Sequence, residues 1–126
     1  MTSFTFNTTH SIRMGAGSLA QLGDIACGLG VRNILLITDP GMLATGIVDR
    51  GVAALMRAGV DVTVFSDVQA DPPEAVVLAA ATAAKNVDGV IGLGGGSSID
   101  VAKLAALLAR GGETLAQVYG VGNAKG

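Results

Sequence analysis

The sequence predicts an α/β domain, a mostly parallel, doubly wound, Rossmann-like sheet with helices on both faces. Three observations carry this. Apolar runs of strand length alternate with longer segments of helical period. The run Ile34-Leu35-Leu36-Ile37 is apolar without alternation, as a strand covered on both faces must be. Glycines fall at the ends of apolar segments, where they punctuate the chain.

The elements follow in order. Ser3 to Asn7 alternates and Ser11 to Gly15 reads as a second strand, which predicts an N-terminal β-hairpin. Ser18 and Gln21 have capping-box spacing, and Leu19, Leu22, Ile25, Ala26 and Leu29 then recur on one helical face up to Gly30. The strand from Asn33 ends at Asp39-Pro40-Gly41. A helix over Met42–Ala58 follows, with Leu43, Ile47, Val48, Val52, Leu55 and Met56 on its apolar side. Val60 to Phe65 alternates and predicts a strand near an edge. Asp71-Pro72-Pro73-Glu74 reads as a helix start, with Asp71 as cap, and the helix runs to about Asn86. The strand ending at Leu93, a glycine turn and a helix to about Ala109 complete the unit. Thr114 to Val118 has the makings of one more turn.

Composition narrows the function. The 126 residues suffice for one domain with a real core. Eight basic and ten acidic residues give a net charge of −2 without a basic cluster, so a nucleic-acid partner is not expected. No apolar run approaches a membrane span, so no membrane partner is expected either. Cys27 is alone in an apolar helical pattern and reads as a core residue. A single cysteine excludes an internal disulfide and points to the cytoplasm. His10 is the sole histidine and cannot make a metal centre without several partners, and no Ser–His–Asp or Cys–His set stands out, so neither catalytic nor metal-ligating residues are assigned.

The chemistry lies in Gly94-Gly95-Gly96-Ser97-Ser98-Ile99-Asp100-Val101-Ala102-Lys103, between a strand and a helix. Free N–H groups and the helix dipole make such a corner attractive to phosphate, and glycines leave the approach open. The segment matches neither the dinucleotide G-x-G-x-x-G pattern, which needs glycine where Ile99 stands, nor the P-loop. Ser97 and Asp100 have the spacing of a helix cap. A carboxylate repels phosphate, so Asp100 suits hydrogen bonding to the loop or to a ligand hydroxyl or amide. Asp39, at the carboxyl end of the buried strand, is either a turn-forming residue or an acceptor for the two hydroxyls of an adenosine ribose, where it would repel a 2′-phosphate. Asp71 caps its helix or faces the ligand.

On these residues the chain resembles the N-terminal NAD(P)-binding domain of the iron-containing (group III) alcohol dehydrogenases, a dehydroquinate synthase-like fold. Met14-Gly15-Ala16-Gly17-Ser18, Ile37 to Gly41, Ala70 to Pro73 and the exit Tyr119-Gly120-Val121-Gly122 share in the resemblance. It implies an oxidoreductase passing hydride between a small alcohol or aldehyde and NAD rather than NADP, and an assembly of identical subunits. The cofactor-binding set it implies is Asp39, Asp71, Gly95, Gly96, Ser97, Ser98 and Asp100. It further implies an all-helical, Fe2+ or other divalent metal-binding second domain. That domain lies outside residues 1–126, so the segment alone is expected to be inactive. Two alternatives stay open: a stand-alone nucleotide-binding or assembly module without catalysis, and a relative of glycerol dehydrogenase or dehydroquinate synthase.

Overall fold

The computed structural model describes residues 3–111 together with Thr114 and Gln117. The turn expected over 114–118 and the exit segment 119–126 otherwise lie outside the described residues. A short 3-10 turn, Ser18–Gln21, leads into α1 (Leu22–Gly28). Next come β1 (Asn33–Ile37), α2 (Pro40–Ala44), α3 (Ile47–Arg57), β2 (Asp61–Phe65), α4 (Glu74–Ala84), β3 (Gly89–Gly92) and α5 (Gly96–Ala109). The strands form one parallel sheet in the order β2-β1-β3, with Ile34 opposite Val62 and Gly89. The carboxyl ends of all three therefore point to one edge.

The unbroken apolar run of β1 is covered on both faces as expected. Ile34, Leu35, Leu36 and Ile37 are all fully buried, and their alternation splits the core in two. Leu35 and Ile37 pack with Val77, Ala80 and Ala84 of α4 and Val101, Ala102 and Ala105 of α5. Ile34 and Leu36 pack with Ala26 of α1 and Val48 and Leu55 of α3. Alanines on α4 and α5 let those helices approach each other and the sheet closely. That is how a chain with four aromatic residues closes its core. β2 lies at the edge, with Val64 exposed. Among the described residues no helix is long and apolar enough to cross a membrane.

Five local expectations are corrected. Residues 3–14 form no hairpin. Phe4, Phe6, Ile12 and Met14 are 69–91% exposed, and two strands with no surface on which to bury a face are not stable. The Ser18–Gln21 capping box does not form. A left-handed Gly17 precedes the 3-10 turn, no side chain caps it, and the Gln21 carboxamide oxygen accepts from Arg13 Nη1 at 3.0 Å instead. The helix expected over Met42–Ala58 is two helices, because Gly46 adopts φ 77°, which breaks the helical path and re-aims the chain. Asp71 is not a cap. Its φ is 47°, whereas a cap needs extended backbone, and the Pro72-Pro73 pair delays the helix to Glu74. Ser97 is not a cap either. Extended Gly95 holds that position and α5 starts at Gly96.

Candidate functional site

The carboxyl edge of the sheet carries two βα junctions side by side. At the end of β1, Thr38 is fully buried, and its hydroxyl donates to the Leu93 carbonyl across the sheet at 2.7 Å. The Leu93 N–H donates to the Ile37 carbonyl at 2.9 Å. These bonds pin the start of the glycine turn to the end of β1. Asp39 follows in extended conformation and caps α2, its Oδ1 accepting from the Met42 N–H at 2.9 Å. Its Oδ2 accepts from the Ser98 hydroxyl at 3.1 Å.

The second junction is built differently. Gly94 has φ 149°, a conformation that side chains rarely adopt. A Cβ there would lie 2.9 Å from Asp39 Oδ2 and 3.0 Å from Ser98 Oγ. Gly92 is equally confined, its hypothetical Cβ 2.9 Å from that of Ala102, so β3 and α5 approach closely. Gly95 and Gly96 are the opposite case: nothing lies within 4 Å of a Cβ built on either. No side chain caps α5, which leaves its first-turn N–H groups without a capping acceptor at the positive end of a 14-residue helix.

Between the junctions lies an open cleft of about 610 Å³. Asp39, Asp67, Gln69, Gly95, Gly96 and Ser97 contribute to its wall, with Pro40, Val68, Ala70 and Ser98. The lining brings together the backbone of Gly95 and Gly96 and two acidic residues, Asp39 and Asp67. A ligand with an anionic centre and a hydroxylated arm matches both.

Of the seven residues expected at the site, five meet at this cleft: Asp39, Gly95, Gly96, Ser97 and Ser98. Ser98 arrives with its side chain turned inward to Asp39. Asp71 and Asp100 are exposed and outside the cleft lining. Asp67, Gln69 and Thr38 were missed. The signal for the first two was positional, since residues just beyond β2 reach the same edge as Asp39. Among the described residues no three His, Cys, Asp or Glu side chains are grouped as metal ligands require. The described residues thus do not fit the metal that the resemblance implies.

Comparison with known proteins agrees with this architecture. The family model described as "Iron-containing alcohol dehydrogenase" matches residues 9–125. Long-chain-alcohol dehydrogenase 1 of Geobacillus thermodenitrificans is 43% identical over 98 residues, which is 76% of this chain and 25% of that one. The NADH-dependent butanol dehydrogenase A of Thermotoga maritima superposes with a TM-score of 0.80 at 30% identity, over 89% of this chain and 29% of that one. The sulfoacetaldehyde reductase of Bifidobacterium kashiwanohense, solved in complex with NAD+, gives 0.81 at 27%, over 97% and 32%. The chain therefore spans about a quarter to a third of these relatives' lengths, and it belongs to the iron-containing alcohol dehydrogenase family.

Proposed function

We propose that residues 1–126 are the dinucleotide-binding domain of an oxidoreductase acting on an alcohol or aldehyde, with NAD as the cofactor. One observation carries this reading: the start of α5, without a side-chain cap and open at Gly95 and Gly96, lines one cleft together with Asp39. The diphosphate would rest against the N–H groups of Gly96 and Ser97 and the positive end of α5. Asp39 would accept from the ribose hydroxyls and repel a 2′-phosphate, which favours NAD over NADP. Bound there, the dinucleotide supplies the hydride acceptor for alcohol oxidation. The residues of this chain hold and orient it. The relatives' names support the assignment, with NADH-dependent and NAD+-bound members among them.

Calorimetric titration of the chain with NAD, NADP and ADP-ribose tests the reading. Binding of NAD and ADP-ribose, with NADP at least about tenfold weaker through the 2′-phosphate repulsion, is the expected result. Absence of any nucleotide binding would overturn it.

A further inference from the structure

We propose that Ser98 is a positioning residue for nucleotide selectivity: its buried hydroxyl fixes the Asp39 carboxylate in the attitude that accepts a ribose diol and refuses a 2′-phosphate. The proposal rests on the cleft's being a dinucleotide site and assigns Ser98 a role other than direct cofactor contact.

Ser98 is 1% exposed, so its hydroxyl is shielded from solvent, while Asp39 is half-buried at the cleft. That bond joins the end of β1 to α5 across 59 residues of sequence. The carboxylate is held at both oxygens, Oδ1 by the Met42 N–H and Oδ2 by Ser98 Oγ. A carboxylate offers about four acceptor positions, so about two remain, the number a vicinal diol uses. Gly94 closes the inner side. A Cβ there would meet Asp39 Oδ2 and Ser98 Oγ together, so the backbone itself leans on the pair. A carboxylate anchored in this way cannot swing aside when a 2′-phosphate arrives. With one anchor removed, it can.

Two series of measurements on the whole chain test this. In the first, NAD and NADP affinities are measured for the wild type, Ser98→Ala and Ser98→Cys. Ser98→Ala should narrow the NAD:NADP preference by about three- to tenfold, the worth of one hydrogen bond. Ser98→Cys, a weak donor of similar size, should fall between it and the wild type. A packing role alone would weaken both nucleotides equally and leave their ratio unchanged. In the second, unfolding of Asp39→Asn, Ser98→Ala and the double variant without ligand forms a cycle, and the two changes should be non-additive. If the wild type prefers NAD but the ratio survives Ser98→Ala, or the cycle is additive, the positioning role is overturned and the cofactor reading stands. If the wild type binds neither nucleotide, the cofactor reading fails and the role of Ser98 fails with it.

Discussion

The two junctions at the carboxyl edge occupy equivalent places and are finished in opposite ways. The β1–α2 junction is closed by its own chain, because Asp39 caps α2 and its second oxygen is taken by Ser98. The β3–α5 junction is left open, with glycine at the cap position and no side chain on the first-turn N–H groups. A helix start that supplies its own carboxylate has no further need of an anion. One that withholds it keeps donors and dipole for a ligand. The short α2 thus has a side-chain cap and the long α5 has none, although both follow a parallel strand.

The contrast can be broken from either side. The largest effect is expected for Gly94→Val. It places atoms where Asp39 Oδ2 and Ser98 Oγ already lie and forces a β-branched residue to φ 149°. A loss of about 3 kcal/mol or more, read by denaturant unfolding, is expected from overpacking and backbone strain combined.

Asp39→Ala comes next. It uncaps α2 and leaves the buried Ser98 hydroxyl without its acceptor. Together these should cost about 2–3 kcal/mol.

Gly95→Asp sharpens the comparison by closing the open junction. Gly95 is extended and its hypothetical Cβ meets nothing, so a carboxylate can cap α5 from there. Stability should rise by a few tenths of a kcal/mol, since glycine is already a tolerable cap. NAD affinity should fall by about tenfold or more as the carboxylate takes the anion's place. Simultaneous loss of stability and binding would contradict the contrast.

The smallest effect lies at the opposite edge. Asp88 accepts from the N–H groups of Asn33 and Arg32, and chiefly the Asn33 bond holds its carboxyl below the ordinary 3.8. A group whose folded pKa is depressed contributes stability that is present above its unfolded value and is lost as pH falls through the folded one. Melting temperatures followed downward from pH 5 should therefore drop less steeply in Asp88→Asn than in the wild type.

Much of this was legible in residue order. The doubly covered β1, the edge strand β2, the glycine stops and the α5 corner all follow from local pattern. Legibility failed where an outcome depended on what lies nearby in space. Residues 3–14 alternate like strands, yet the described chain offers them no face to cover. Asp71 has the spacing of a capping residue, yet its backbone at φ 47° is not that of a cap and the helix starts later, at Glu74. Gly46 carries no neighbouring signal that would separate a break from a tolerated helical glycine.

By itself the sequence determined the alternation of strands and helices, the covered central strand and an anion-attracting glycine corner, because each is written in near-neighbour periodicity and backbone freedom. Only the tertiary structure decided that Asp39 and Ser98 meet, that Asp67 and Gln69 share their cleft, and that Gly94 must be bare where Gly95 and Gly96 are merely open. Those facts depend on distances between segments that the parallel sheet brings together, and no local pattern encodes them.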